Sequence, residues 1–333
     1  MEFIPELLTK DPIRAMDIGA HGGLVEHWLP FLSWMRIDAF EPNKEDCERQ
    51  KEASPPHVSW HPIGLARESG EHTLYVLNRS TGSSLYPVNV PVLSRYTSTS
   101  YYGLVKEMKI QCLSLSDFLE QNQKLPPNVL KLDTQGSELD ILYGLEDSHW
   151  NAVLSVETEV EFLELYKDQP LFQDVHAFML TKGFELFDLR THRGYRLKWD
   201  EELFYLKKYL NTKGGTPLHS AQLVAGDALY LRTPEDSRVY ESLSVFGKYV
   251  MSLVIYHYFD VALFAVEMAE KKGLLNATQR EALFADILSF APKPPLYLRT
   301  DLAGKISTRI RHRLGITESD YPTFWTSRRW PDQ

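Results

Sequence analysis

One short segment near the N-terminus constrains the fold more than any other part of the chain. Residues 15–23 read Ala-Met-Asp-Ile-Gly-Ala-His-Gly-Gly, which predicts a buried strand and then a glycine-rich turn that opens a helix. A second apolar run, residues 36–41, ends at Glu41, about 20 positions after Gly19, as expected when a glycine turn and a ribose-binding acid follow adjacent strands. Because glycines let a ligand approach the backbone closely, the pattern predicts an adenosine-containing ligand.

The composition of the turn indicates which ligand this is. A dinucleotide fingerprint reads Gly-x-Gly-x-x-Gly, and its second glycine makes room for a pyrophosphate. Here His21 occupies that place, which favours S-adenosylmethionine over NAD. The alternative, that the glycines only shape a tight turn, is weakened by Glu41. The predicted cofactor-binding residues are Asp17, Gly19, Ala20, His21, Gly22, Glu41 and Pro42.

Composition excludes several classes of protein. The 333 residues carry a net charge of −9, which argues against a protein devoted to nucleic acid. Two cysteines, Cys47 and Cys112, provide neither a disulfide framework nor a CxxC metal site. The first residues lack the pattern of a signal peptide, and the apolar stretch 249–269 is interrupted by charged residues. We therefore expect a cytoplasmic protein without a membrane span.

Strand and helix patterns alternate along residues 14–232, which is typical of an α/β domain with a mostly parallel sheet. The predicted strands cover residues 14–19, 36–41, 58–66, 73–77, 109–112, 128–133, 153–156, 184–189 and 227–232. We assign residues 1–234 to this domain, with a long insertion at about 67–110 as a substrate loop or lid. Residues 235–333 are predicted to be a helical C-terminal region. The apolar periodicity of residues 236–290 fits either packing on the sheet or self-association into a homo-oligomer.

Asp133 is the first candidate for a catalytic base. It ends the predicted strand 128–133, and open α/β sheets bind ligands beyond the carboxyl ends of their strands. A carboxylate there can hold the ammonium of the cofactor, or receive or deprotonate a substrate hydroxyl. The alternative is that Asp133 caps the helix that follows.

Glu157 and His21 are the second and third candidates. Glu157 directly follows the predicted strand 153–156, whereas the rest of its acidic run, up to Glu164, is interpreted mostly as a solvated helix face. His21 lies in the cofactor turn, where we expect it to form hydrogen bonds. Because His27, His57, His61 and His176 lack the spacing of a zinc site, they are interpreted as structural and no metal site is predicted.

Several short blocks occur in a distinctive order along residues 14–232. They read Met16-Asp-Ile-Gly-Ala-His-Gly-Gly23, Ala39-Phe-Glu-Pro42, Gly82-Ser-Ser-Leu85, Leu130-Lys-Leu-Asp-Thr-Gln-Gly-Ser-Glu-Leu139 and Ser155-Val-Glu157, followed by Glu161-Phe-Leu-Glu-Leu-Tyr166, Pro170-Leu-Phe172 and Lys182-Gly-Phe184. This combination resembles the FkbM family of S-adenosylmethionine-dependent methyltransferases. The region after Pro234 is not part of the resemblance.

The resemblance implies a class I methyltransferase fold, a Rossmann-like and mostly parallel seven-stranded sheet with helices on both faces. It also implies O-methylation of a hydroxyl on a sugar, glycan or polyketide-like natural product, with S-adenosylmethionine as cofactor and S-adenosylhomocysteine as product; a divalent metal is not implied. By carry-over, Leu65 and Ala66 lie near the adenine and Asp133 lines the reaction centre. The substrate-facing residues are then Ser84, Gln135 and Glu157.

Two other functions remain open from the sequence. An NAD-linked oxidoreductase or a nucleotide-sugar enzyme would share the sheet and the ribose acid, although His21 argues against it. A non-catalytic binding protein could also retain a methyltransferase fold, since a fold does not fix an activity. Measuring which cofactor binds separates these alternatives.

Overall fold

The computed structural model describes residues 3–196 and 222–291. Its strands are β1 Ile13–Ile18, β2 Met35–Phe40, β3 Val58–His61, β4 Gly64–Leu65, β5 Gly70–Leu77, β6 Leu104–Leu113, β7 Val129–Leu132, β8 Ser155–Glu161, β9 Glu185–Gly194 and β10 Gln222–Leu231. Its helices are α1 Phe3–Lys10, α2 Lys44–Ala53, α3 Val90–Leu93, α4 Leu115–Gln121, α5 Glu138–Tyr143, α6 Phe172–Thr181, α7 Leu243–Ile255, α8 Phe259–Lys271 and α9 Ala277–Phe290. A 3₁₀ helix, Glu26–Trp34, follows the glycine turn.

Seven strands form the central sheet in the order β3-β2-β1-β7-β8-β10-β9. In this sheet, the neighbouring strands β3, β2, β1, β7 and β8 all run parallel to one another. Strand β10 runs antiparallel to both of its neighbours, β8 and β9. The prediction of a Rossmann-like, mostly parallel seven-stranded sheet is therefore confirmed. The chain order reverses on either side of β1, and this switch point is where such sheets bind ligands.

The central strands are apolar because both of their faces are covered. All four residues of β7, Val-Leu-Lys-Leu, are buried, and so are five of the six residues of β1. Two buried polar residues interrupt these strands, Asp17 in β1 and Lys131 in β7. Because a buried charge is costly without a partner, such interruptions mark places where the fold serves something other than packing.

The segment predicted as one strand over residues 58–66 is divided between two sheets. Its first part, β3, extends the central sheet, whereas β4 pairs with β6 in a separate three-stranded sheet, β4-β6-β5. Pro62 lies between the two parts and cannot donate a backbone hydrogen bond to a ladder, which accounts for the break. The insertion is thus built around an antiparallel hairpin of β5 and β6.

The acidic run that begins at Glu157 is not a solvated helix face, so that interpretation was wrong. Residues 155–161 form β8, and the run continues inside the protein: Glu157 and Glu161 are buried. The sequence Ser-Val-Glu-Thr-Glu-Val-Glu alternates carboxylates with β-branched residues, the two-residue period of a strand. Glu157 therefore lies within a strand, not at its end.

The predicted C-terminal helical region is present over α7–α9, and the rest of it, residues 292–333, lies outside the described residues. Residues 246–255 of α7 are all buried, and they share one hydrophobic core with β1, β2 and the 3₁₀ helix. An ion pair of 2.7 Å between Lys248 Nζ and Asp11 Oδ1 links α7 to the loop before β1. Within the described residues, no helix is long and apolar enough to cross a membrane.

Candidate active site

A cavity of about 720 Å³ opens at the carboxyl ends of β1, β2 and β7. Its walls come from the glycine turn, from the end of β2, from β7 and β8, and from the insertion. A volume of this size is typical of small-molecule sites. The cavity therefore lies where the sequence places the cofactor.

Gly19 is required where the turns after β1 and β7 meet. Its φ is +81°, and a Cβ at this position would lie 2.0 Å from the backbone oxygen of Asp133. Gly22 has the same φ, but its Cβ would meet no atom within 4 Å. Gly19 thus serves the contact between two turns, whereas Gly22 leaves the backbone open toward the cavity, as a close-fitting ligand requires.

Glu41 presents a fixed carboxylate at the edge of the cavity. Its side chain is buried, and burial raises its pKa, an effect that its hydrogen bonds counter only in part. The backbone N–H of Asn43 donates to Oε1 at 2.6 Å, and Nδ1 of His21 lies 3.3 Å from Oε2. The carboxylate is therefore oriented before any ligand arrives.

His21 braces this carboxylate against α2. Its Nδ1 lies 3.1 Å from Oδ2 of Asp46, and its Nε2 lies 3.1 Å from the hydroxyl of Ser80 in the insertion. Ligand atoms of His21, Glu41 and Asp46 lie within 4.8 Å of one another, close enough to hold a metal ion. Asp46 already accepts the N–H of Gly22 at 3.0 Å and pairs with Arg49. We interpret the group as a brace for Glu41.

Gln135 organises the turn after β7, which forms one wall of the cavity. Its backbone has a φ of +61°, and its Nε2 donates to Oδ1 of Asp133 at 2.9 Å and to Glu159. The hydroxyl of Ser84 donates to the carbonyl of Gln135 at 2.7 Å, which ties the insertion to this turn. Asp133 itself is 41% exposed at its side chain, with Nζ of Lys131 at 3.8 Å, so it is open to a substrate.

Three carboxyl groups behind this turn lie close together, and none of them forms an ion pair within the described residues. Burial raises the pKa of Glu138 to about 7, and it raises the pKa values of Glu159 and Glu161 well above their usual range. Repulsion among these groups and Asp133 adds to the effect of burial. Glu138 accepts the N–H groups of Thr134 at 2.6 Å and Gly136 at 2.9 Å. The raised pKa values favour the protonated forms of these three carboxyl groups.

A row of alternating charges crosses the sheet beneath the cavity. Asp17, Lys131 and Glu157 are register neighbours on β1, β7 and β8. Nζ of Lys131 lies 3.4 Å from Oδ1 of Asp17. Burial lowers the pKa of Lys131, but the charges of Asp17, Asp133 and Glu157 outweigh it and raise that pKa above its usual range, whereas burial raises the pKa of Asp17.

Glu157 also has two partners that the sequence did not reveal. Nε2 of His27, in the 3₁₀ helix, lies 3.0 Å from Oε2 of Glu157. The hydroxyl of Tyr256, directly after α7, donates to the same oxygen at 3.2 Å. Lys131 was detectable as the one charge in an apolar strand, whereas His27 had been interpreted as structural, and nothing in the sequence links Tyr256 to Glu157.

Most of the predicted site residues surround the cavity. Those that line it are Gly19, His21, Gly22, Glu41, Pro42, Leu65, Ser84, Asp133, Gln135 and Glu157. Three others, Asp17, Ala20 and Ala66, are buried behind the lining and do not contribute to it. The cavity therefore brings together residues that are more than 130 positions apart in the chain.

The insertion contributes one face of its hairpin to the cavity. Leu74 and Val76 of β5 and Lys106, Met108 and Ile110 of β6 line it, following the two-residue period of a strand. Four of these five side chains are apolar. The hairpin thus provides an apolar roof with a single ammonium group, and the segment between its strands adds Ser80, Thr81, Ser83 and Ser84 to the cavity wall.

The strand order, the glycine turn and the acid after β2 together define the class I methyltransferase fold. The family profile described as "Methyltransferase FkbM domain" matches residues 17–197, more than half of the chain. The chain therefore belongs to the FkbM methyltransferase family.

Individual relatives match shorter parts of the chain. Methyltransferase 1 of Beauveria bassiana (strain ARSEF 2860) is 29% identical over 140 residues, covering 38% of this chain and 52% of the relative. Methyltransferase sdnD of Sordaria araneosa is 25% identical over 112 residues, covering 31% and 41%. The chain thus spans about half the length of the curated relatives it matches. A crystal structure of methyltransferase FkbM from Methylobacillus flagellatus KT aligns with a TM-score of 0.35 at 13% identity, covering 66% of this chain and 44% of that one.

Proposed function

We propose that this chain is an S-adenosylmethionine-dependent O-methyltransferase whose acceptor is a hydroxyl on a sugar, a glycan or a polyketide-like natural product. The observation that carries the proposal is the position of Glu41, which borders the same cavity as the open backbone of Gly22. A carboxylate at the end of the second strand is suited to the hydroxyls of a ribose. Membership of a methyltransferase family supports methyl transfer as the reaction.

The residues around the cavity suit an adenosyl group. Gly22 leaves room for a ligand, Glu41 offers carboxylate oxygens to the ribose, and Leu65 lines the apolar part of the wall near β4. His21 lies where a dinucleotide site needs a glycine, which argues against NAD. When bound, S-adenosylmethionine would supply an activated methyl group.

Asp133 is the base that we propose for the acceptor hydroxyl. Its side chain is partly exposed to the cavity, and Gln135 and Lys131 hold it from two sides. A positioned base contributes about 10²- to 10⁴-fold to the rate, and alignment of the reacting groups contributes the rest. Glu157 and His21 are the other candidates from the sequence; His21 is engaged in bracing Glu41.

The roof of the cavity indicates the shape of the acceptor. Its side chains are apolar apart from Lys106, and the hydroxyl of Ser84 is already used between the insertion and Gln135. An acceptor that combines hydroxyls with an apolar face, such as a glycosylated or polyketide-like compound, fits this wall. The insertion is thus proposed to be the lid over the acceptor.

Calorimetric titration with S-adenosylmethionine, S-adenosylhomocysteine and NAD tests the cofactor. We expect the first two to bind and NAD not to bind, and we expect Glu41→Ala to weaken binding by roughly 10- to 100-fold, the usual effect of losing a hydrogen bond to a charged group. Glu48→Ala, on the exposed side of α2, is the matched control. Binding of NAD alone would support an oxidoreductase, and binding of none would favour a non-catalytic protein.

Transfer of labelled methyl groups to a panel of glycosides and phenols tests the reaction. We expect Asp133→Asn to lower kcat by about 10²- to 10⁴-fold while the affinity for S-adenosylmethionine stays within twofold. Full turnover by Asp133→Asn would remove Asp133 from the mechanism and leave the cofactor assignment intact.

A further inference from the structure

Tyr256 reaches the active site from outside the part of the chain that matches the family, residues 17–197. It follows α7 directly, its side chain is buried, and its hydroxyl donates to Oε2 of Glu157. Nε2 of His27 lies 3.0 Å from that same oxygen. Two elements thus fix one oxygen of a buried carboxylate.

The other oxygen of Glu157 is available to a ligand. Within the described residues, no hydrogen bond or ion pair of Glu157 Oε1 is found, although the side chain is only 8% exposed and lines the cavity. A carboxylate oxygen in a cavity wall that has no protein donor can accept a hydrogen bond from a ligand. The most favourable donor for such an oxygen is a cation.

A cation lies next to this carboxylate in the same wall. Lys131 is the register neighbour of Glu157, and it also lines the cavity. Its Nζ lies 3.4 Å from Asp17 and 3.8 Å from Asp133, both longer than the roughly 2.7–2.9 Å of a tight charge-assisted hydrogen bond. An ammonium group has three donors, so Lys131 retains capacity for an anionic group of the ligand.

We propose that Glu157 and Lys131 bind the α-ammonium and the α-carboxylate of the methionine part of the cofactor, and that Tyr256 is the positioning residue that aims Glu157 at the ammonium. The inference rests on the proposed function. To bind a substrate hydroxyl, the protein needs only one hydrogen-bond acceptor. This wall instead offers two adjacent groups of opposite charge, which are the complement of an amino-acid zwitterion.

The distance along the sheet agrees with this placement. Glu41 follows β2, and Glu157 lies on β8, three strand positions away across β1 and β7. At about 4.8 Å between neighbouring strands, they are roughly 14 Å apart across the sheet. An adenosine linked to an extended amino acid can bridge this separation, with its ribose at Glu41 and its amino-acid end at Glu157.

Calorimetry with S-adenosylhomocysteine and 5′-methylthioadenosine tests the assignment, because both are uncharged at sulfur and only the first has the amino-acid part. We expect Glu157→Gln to weaken the binding of S-adenosylhomocysteine by roughly 10- to 100-fold. Tyr256→Phe should weaken the same binding by roughly 2- to 10-fold. Both variants should bind 5′-methylthioadenosine within twofold of the unmodified chain, which also shows that they are folded. Tyr258→Phe is the matched control, because that hydroxyl donates to the carbonyl of Phe187 at 3.1 Å.

The outcomes separate this inference from the proposed function. Equal losses for both ligands, or no loss for either in Glu157→Gln, would overturn the methionine assignment while leaving the proposed function in place. If Glu157→Gln bound S-adenosylhomocysteine more weakly while Tyr256→Phe kept the original affinity, Tyr256 alone would be removed from the proposal. If the unmodified chain bound neither ligand, the proposed function and this inference would both be overturned.

Discussion

Glu157 and Glu159 lie two residues apart on the same face of β8, yet their surroundings have opposite character. Glu157 neighbours Lys131 and accepts the hydroxyl of Tyr256. Glu159 faces the carboxylates of Asp133 and Glu161, and burial together with their charge raises its pKa well above the usual range. One strand thus contributes to a row with a compensating cation and to a cluster that has no ion pair among the residues the structure describes.

The difference shows how one sheet face can provide two chemical environments. In the row of Asp17, Lys131 and Glu157, a central cation compensates buried carboxylates, which suits the binding of a charged ligand. In the cluster of Glu138, Glu159 and Glu161, burial and mutual repulsion raise the pKa values, which favours the protonated forms. The row should therefore depend on its lysine, and the cluster should depend on pH.

The largest effect is expected from removing the lysine of the row. Lys131→Met leaves Asp17 and Glu157 buried without their shared cation, and breaking a buried pair in this way costs roughly 3–5 kcal/mol. Urea unfolding at pH 7 measures the loss of unfolding free energy. Lys124→Met, which removes a more exposed pair with Asp38, is the control and should cost about 1 kcal/mol or less.

A second variant shows whether the loss comes from charge or from packing. In the double variant Asp17→Asn with Lys131→Met, one of the stranded carboxylates becomes neutral, so part of the loss should be recovered. A Lys131→Met chain that loses less than about 1 kcal/mol would contradict the distinction between row and cluster.

The opposite sign is expected from neutralising a carboxyl group of the cluster. Glu161→Gln should stabilise the chain at pH 8 by roughly 1–3 kcal/mol, the usual cost of a poorly compensated buried polar group. The advantage should shrink toward pH 5, because the raised pKa of Glu161 favours its protonated form as the pH falls. Thermal or urea unfolding at the two pH values measures it.

The sign follows from the raised pKa values. Where the folded pKa exceeds the unfolded one, the folded state binds the extra proton, so its stabilising contribution is present at low pH and lost as pH rises through the folded pKa. For Glu138 this window extends from about 4.5 to about 7. Glu120→Gln, on the exposed side of α4, is the control and should leave the free energy of unfolding unchanged at either pH. Equal gains in unfolding free energy at pH 5 and pH 8 in Glu161→Gln would exclude protonation as the cause.

Much of the fold was predictable because its rules are local. The glycine turn, the acid after β2 and the apolar strands follow from backbone freedom and from the burial of parallel strands on both faces. The prediction that residues 58–66 form a single strand was wrong at its end, because strand pairing, not propensity, decides which sheet each part joins. The interpretation of the acidic run from Glu157 as a solvated helix face was wrong because it followed the charges of the run and not their two-residue period, which indicates a strand.

The site was predictable only where single residues carry the information. Glu41 and Asp133 stand out because each ends a strand beside a turn, and both line the cavity. Tyr256 does not stand out, since it is 99 positions from Glu157 in the chain and their contact depends on how α7 packs against the 3₁₀ helix. Long-range packing of this kind leaves no local pattern.

The smallest effect is expected from breaking a link between the insertion and the turn after β7. The hydroxyl of Tyr166 lies 2.8 Å from the carbonyl oxygen of Gly82 and 3.0 Å from Oε1 of Gln135, so it joins the insertion to the turn that carries Asp133. Tyr166→Phe removes this link alone and should cost about 0.5–1.5 kcal/mol. Hydrogen exchange should quicken around Gly82 but not in α7, which belongs to a different hydrophobic cluster from Tyr166. Equal quickening in both places would mean that the Tyr166 hydroxyl stabilises the whole domain, whereas quickening near Gly82 alone would show that the insertion can loosen while the charged row stays intact.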